Sequence, residues 1–337
     1  MGQSLSAGIA LTMAAGLMSG NCMLPLKFMR SWKWENAWLV FSIVSLIILP
    51  WALAIGLVGH LFETYRALSF SELAVPFLLG AGWGIAQVLF GISVQRLGLG
   101  IAYAIIIGLG AVLGTLVPLF LQQQMTMKKH ATTFIIAGVA VMVMGIILTA
   151  WGGQVRERST TSVAQNGSQQ NYVAAVLLAI LCGFMAPMLN YAFAFGQDIA
   201  REAIHLGNPA VHAGYAVWPI GLAGGFLPNI AYSLYLLAKN RTWSSFRSAK
   251  PDLFWASLMG ALWMGAFALY GMSATYLGSL GTSIGWGFMQ IFMILTATLS
   301  GVLTGEWKGA PRAATLPLGL GLISLTGAIV LLAYANR

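Results

Sequence analysis

Ten mostly apolar runs, each longer than 20 residues, divide this chain almost end to end, and few folds survive that pattern. A helix needs about 20 such residues to cross a bilayer, because the hydrocarbon core is about 30 Å thick and a helix rises about 1.5 Å per residue. The runs fall at 5–25, 37–59, 73–94, 98–121, 131–151, 172–195, 209–238, 252–276, 280–303 and 313–335. Only 7% of the 337 residues are charged, against about 25% in a soluble protein. The predicted fold is therefore all-α, a polytopic transmembrane helical bundle of ten spans. Met1–Ala10 has no basic n-region and the apolar run to Leu24 lacks a small-residue cleavage site, so the first run reads as a retained span.

One stretch occurs twice. Gly80–Gly98 aligns without a gap on Gly260–Gly278, with nine of nineteen positions identical. Matching Leu and Ala residues mean little between apolar segments. Trp83/Trp263 together with Gly80/Gly260, Gly91/Gly271 and Gly98/Gly278, all in one register, mean more. The offset points to two homologous halves, 1–151 and 172–337, separated by the polar, turn-rich stretch 152–171, which reads as a cytoplasmic linker. Five spans per half is an odd number, so the second half enters the membrane from the opposite side. That is a 5+5 inverted-topology repeat, an arrangement found in transporters, whose sites lie where the halves meet. Pro219 and Pro228 predict a tilt or kink in the seventh span.

A net charge of +9 would suggest nucleic acid if the protein were soluble. Here Lys and Arg sit between the apolar runs, so the expected partner is the lipid bilayer and not a nucleic acid. Twelve of the 17 Lys and Arg residues fall in alternate connections, the side that also carries 152–171. The positive-inside rule puts that side in the cytoplasm and both termini on the non-cytoplasmic side. Cys22 and Cys182 each stand alone in a span and read as small packing residues.

The residues exclude most chemistry. All acidic side chains lie at span ends or in connections, and Glu202/His205 form only half of a carboxylate-bridged metal motif. No Walker motif or Ser/His/Asp set is present, so no enzyme activity, primary pump, cofactor or metal is expected. A charge at mid-bilayer costs about 2.5–3.5 kcal/mol or more, and no carboxylate is predicted there. A proton-coupling residue must then sit nearer a span end. Glu35 is the first candidate and Glu306 the second, with interfacial anchoring the plainer role for both.

Aromatics and amides occupy the span centres instead. Trp83, Gln87 and Phe90 share one helical face, and Trp263, Phe267 and Tyr270 repeat it in the second half. Gln290 follows Trp286 by one turn, while Asn21 and Asn190 lie towards the ends of the first and sixth spans. Trp32, Trp34, Trp38 and Trp151 fall in the boundary belts. Such a lining suits an uncharged polyol, because an aromatic face packs on a sugar ring and amides exchange paired hydrogen bonds with hydroxyls. Helix packing and amide bonds across helices are the alternative for all eight: Trp83, Gln87, Trp263, Gln290, Asn21, Asn190, Tyr270 and Trp286.

The chain resembles the L-rhamnose–proton symporter family of the drug/metabolite transporter superfamily. The resemblance is carried by Lys33-Trp34-Glu35, Val44–Trp51, Gly80–Gly98, Arg201-Glu202-Ala203 before Leu206-Gly207, Leu237–Lys239 and Glu306-Trp307, spread over the whole length. It implies a ten-helix bundle of inverted repeats, an inner-membrane location and uptake of a deoxyhexose with protons. An exporter of other metabolites or amphipathic compounds in the same superfamily is the alternative within the class. A non-transporting membrane enzyme or sensor is the alternative outside it.

Overall fold

The computed structural model describes residues 4–122, 129–160, 169–247 and 250–335. Among these, ten helices are long and apolar enough to cross a membrane. They are α1 (Leu5–Phe28), α2 (Trp34–Leu57), α3 (Phe70–Leu97), α4 (Gly100–Leu121), α5 (Ala131–Ser159), α6 (Tyr172–His205), α7 (Ala210–Asn240), α8 (Lys250–Leu277), α9 (Gly281–Leu303) and α10 (Arg312–Ala335). We call the side carrying the α1–α2, α3–α4, α5–α6, α7–α8 and α9–α10 connections the linker face, and the other the terminal face.

Helix ends differ from the apolar runs where local chemistry extends them. The helix containing α5 continues into the stretch read as linker, to Thr160, and the next helix begins at Gln169; residues 161–168 lie outside the described residues. Gly152 does not stop α5, because its bare face packs against α10, where an added Cβ would lie 2.7 Å from the Ala314 carbonyl. α2 starts earlier than its apolar run, at Trp34, because Asn36 caps its first turn by accepting from the Lys33 N–H at 3.2 Å.

The repeated segments become equivalent helices. α3 and α8 are both 28 residues long, and each is followed by a glycine with positive φ, Gly98 at 79° and Gly278 at 72°. L side chains rarely adopt that backbone, so the Gly98/Gly278 pair in the alignment marks two matching helix ends. Four other helices are interrupted, α1 only near its end, where Cys22–Met23 separate it from a 3-10 turn at Leu24–Phe28. α2 carries a π-turn at Val44–Ile48 just before Pro50, whose missing N–H leaves the Leu46 carbonyl without its helical partner. α6 breaks at Ala186–Pro187. α7 is interrupted at Gly214–Ala216, just before Pro219 in the first turn of its long segment, while Pro228 sits inside that continuous helix. The irregularity expected in the seventh span is therefore at its start.

Contact between helices relies on missing side chains. α3 and α7 run parallel, and a Cβ on Gly80 would come within 1.7 Å of the Gly221 carbonyl; one on Gly84 would reach 2.4 Å from that of Gly225. With lipid as apolar as the side chains, close backbone approach supplies the packing that hydrophobic burial gives in water. Gly91 faces open space, with nothing within 4 Å of an added Cβ. Gly80→Ala is expected to lower the melting temperature of the detergent-solubilised protein, at a cost of about 1–3 kcal/mol from overpacking. Gly91→Ala should leave it unchanged.

Candidate functional site

A cavity of about 330 Å³ lies between the two sets of helices, within the size range of small-molecule sites. α3 contributes Trp83, Gln87 and Phe90; α8 contributes Trp263 and Phe267; α9 contributes Trp286, Met289, Gln290 and Met293. Ser19 and Cys22 from α1, Tyr103 and Ile106 from α4, and Cys182 and Ala186 beside the break in α6 complete the wall. Helical spacing explains the convergence, since Trp83, Gln87 and Phe90 recur every three or four residues on one face of α3.

The repeated tryptophans meet. Trp83 and Trp263 stack with ring centroids 5.3 Å apart and planes 27° from parallel. Trp83 also lies on Gly225, where an added Cβ would meet its ring at 2.8 Å, and Trp263 packs on Phe267 at 4.3 Å. The two indoles therefore enter the cavity wall as one stacked unit, rather than standing apart as two sugar platforms.

Polar side chains divide into two groups. Gln87 and Gln290 line the cavity, and neither amide meets a hydrogen-bond partner among the described residues. Trp286 lines it too, but its Nε1–H is held by the Gly110 carbonyl at 3.1 Å. Asn190, by contrast, is fully buried beyond the cavity. Its amide donates to the carbonyls of Gly114 at 2.9 Å and Thr282 at 3.0 Å, while its oxygen accepts from the Tyr270 hydroxyl. Asn190 and Tyr270 thus brace α4, α6, α8 and α9 on the terminal-face side. Asn21 likewise bonds Leu17 and Ser300 across α1 and α9 and does not line the cavity. Both cysteines are buried as expected of packing residues and both border the cavity, the Cys182 thiol on the Ala86 carbonyl at 3.1 Å. Trp38, expected in a boundary belt, is buried and donates to Asn229 at 2.9 Å.

Glu35 does not reach the cavity. It is buried in the first turn of α2 near the linker face, accepting from Asn240 at 3.1 Å and Thr242 at 2.8 Å. Glu306 is placed differently. It pairs with Lys27 and, at 3.4 Å, with Arg156, whose guanidinium lies 4.6 Å from the Trp307 ring. Glu306, Arg156 and Trp307 line a second cavity of about 310 Å³, which shares Tyr103 and Ala297 with the first. The two cavities thus adjoin at Tyr103 and Ala297, and the second reaches the linker face, where Glu157 and Glu306 are exposed at its rim. The Lys27 hydrogen bond, then the charges of Lys27 and Arg156, hold the Glu306 carboxyl below the usual range against the opposing effect of partial burial. Among the described residues, Glu202 and His205 pair only with each other, at 3.7 Å on a short helix.

Tyr103 and Ser19 line the cavity without having stood out in sequence. A tyrosine near the start of an apolar run looks like an interfacial anchor, and a serine among glycines looks like a packing residue; only the tertiary fold separates these cases.

A ten-span helical bundle with a cavity between its halves, adjoined by a second at one face, has the form of a membrane transporter. The sequence matches the L-rhamnose-proton symport protein family over residues 1–336, and the chain belongs to that family. It is 29% identical over 318 residues to the L-rhamnose-proton symporter of Klebsiella pneumoniae (strain 342), covering 91% of this chain and 92% of that protein. The symporter of Cronobacter sakazakii is 28% identical over 333 residues, 96% of this chain and 95% of its own.

Tyr270→Phe would leave the buried Asn190 oxygen without its donor, at a cost of about 1–3 kcal/mol. A lowered melting temperature is expected for that variant. Gln87→Leu, which breaks no hydrogen bond, should melt with the wild type.

Proposed function

We propose that this protein carries L-rhamnose together with protons across the inner membrane into the cell, by alternating access around the cavity between Trp83 and Gln290. The observation that carries this reading is the pair of unpartnered amides, Gln87 and Gln290, facing a charge-poor cavity beside an indole stack. An amide offers a donor and an acceptor, which is what a ring of sugar hydroxyls requires, and its neutrality suits an uncharged ligand. Trp83, Trp263 and Trp286 supply the aromatic wall on which the apolar face of the sugar rests.

The two five-helix units, 1–151 and 172–337, are inverted repeats that rock about this cavity. Helix pairings support that reading, because α1 packs on α8 and α9 as α6 packs on α3 and α4, and α2 packs on α8 as α7 packs on α3. The charge bias makes the linker face cytoplasmic, with both termini on the other side. The conformer described is then inward-facing, sealed towards the outside by the Asn190–Tyr270 brace and the Trp83–Trp263 stack.

Uptake of labelled L-rhamnose into proteoliposomes tests this. An inward proton gradient should drive accumulation, and Gln87→Ala or Gln290→Ala should raise KM about 5- to 30-fold, the equivalent of one or two lost hydrogen bonds of about 1 kcal/mol each. Unaltered transport by either variant would remove that residue from the site.

A further inference from the structure

We propose that Glu306 is the group at which proton binding is coupled to solute movement, and that Lys27 and Arg156 are the cations that expel the proton when the cavity stands open to the linker face. This rests on the sugar–proton reading above.

A coupling carboxylate has to border the path the solute takes. Among the described residues, the other candidates near the spans are engaged elsewhere. Glu35 is held by Asn240 and Thr242. Asp252 accepts the backbone N–H groups of Arg30, Ser31 and Trp32 at 3.2, 2.8 and 2.9 Å, and Glu72 closes the capping box of α3 with Ser69. None of the three lines the central cavity or the second one. Among the described residues, Glu157 and Glu306 are the carboxylates that line the second cavity. Of these, Glu306 is bound by Lys27 from the end of α1 and by Arg156 from the end of α5, so it ties the α9–α10 connection to both elements.

The charged groups around Glu306 are Lys27 from the end of α1 and Arg156 and Glu157 from the end of α5. Trp307 holds the Arg156 guanidinium, and the carboxylate rests on the bare surface of α9, where a Cβ on Gly301 would lie 3.1 Å from Glu306 Oε2. Two cations stabilise the ionised carboxylate, so in this conformer Glu306 releases its proton to the linker face. Proton binding cancels the charge and breaks both pairs, freeing the α9–α10 connection from α1 and α5. Proton occupancy and the position of this connection are thereby linked. When the connection moves away from both cations, the carboxyl regains its proton affinity.

Glu306→Gln in proteoliposomes separates coupling from transport. The readouts are accumulation of labelled L-rhamnose under an inward proton gradient and gradient-free counterflow of the same sugar. The variant should lose at least tenfold in accumulation while counterflow persists, and counterflow itself shows that the protein is folded and inserted. Arg156→Gln removes one stabilising cation, so the pH at which gradient-driven uptake falls should move upward, which a merely structural contact would not produce. That shift decides the matter if Glu306→Gln fails to insert. Wild-type accumulation is the control: a wild type that exchanges but never accumulates defeats the sugar–proton reading whatever Glu306 does. With the wild type accumulating, equal accumulation by Glu306→Gln overturns the assignment. So does uncoupling by Glu157→Gln alone, and so does an unmoved pH profile in Arg156→Gln.

Discussion

The rest of the structure depends on the backbone contact between α3 and α7. Gly80 and Gly84 face Gly221 and Gly225 so closely that a Cβ on either of the first two would meet a carbonyl oxygen of the second pair. Bilayer lipid gives no reward for bringing apolar helices together, so a contact of this kind must come from close packing itself. Its consequence is positional. It lays Trp83 against Gly225 and holds the ring where it stacks on Trp263 from the other half. Gln87 and Phe90, on the same face of α3, then open onto the space left behind the indoles. The cavity is what remains when two tightly joined helix groups meet through an aromatic pair.

Many polar residues follow a second rule, that a buried donor or acceptor without a partner costs about 1–3 kcal/mol, although the hydroxyls of Ser42, Ser93 and Thr115 and the Trp218 Nε1–H lack one among the described residues. Asn190, Asn229, Tyr270 and Trp286 satisfy it through the protein and thereby fix the helices. Gln87 and Gln290 satisfy it with no described residue. These two amides are the ones we propose for a ligand that hydrogen-bonds. The carboxylates are sorted the same way. Glu35 and Asp252 serve as joints at the linker face, and Glu306 is set among cations at the second cavity.

Much of this was legible in the residues. Ten spans follow from run length alone, and the Trp83/Trp263 alignment singled out the two rings that stack. The resemblance carried by Glu306-Trp307 and the other short stretches agreed with the family to which the chain belongs. What sequence did not separate was lining from bracing. Asn190 and Tyr270 look as suited to a sugar as Gln87, because the difference lies in carbonyls of Gly114 and Thr282 that come from distant helices. Trp38 sits near a span end, which suggests a boundary role, yet Asn229 of α7 draws it into the core. The early stop expected for α5 failed for a related reason: Gly152 and Gly153 weaken an isolated helix, but packing against α10 outweighs propensity.

The central claim is that the solute binds between the two amides, against the indole pair. A structure of the protein with L-rhamnose bound tests it most directly. The account predicts the sugar in the cavity, hydrogen-bonded to Gln87 and Gln290 and resting on the Trp83–Trp263 wall. A sugar seated elsewhere, with both amides untouched, would contradict it.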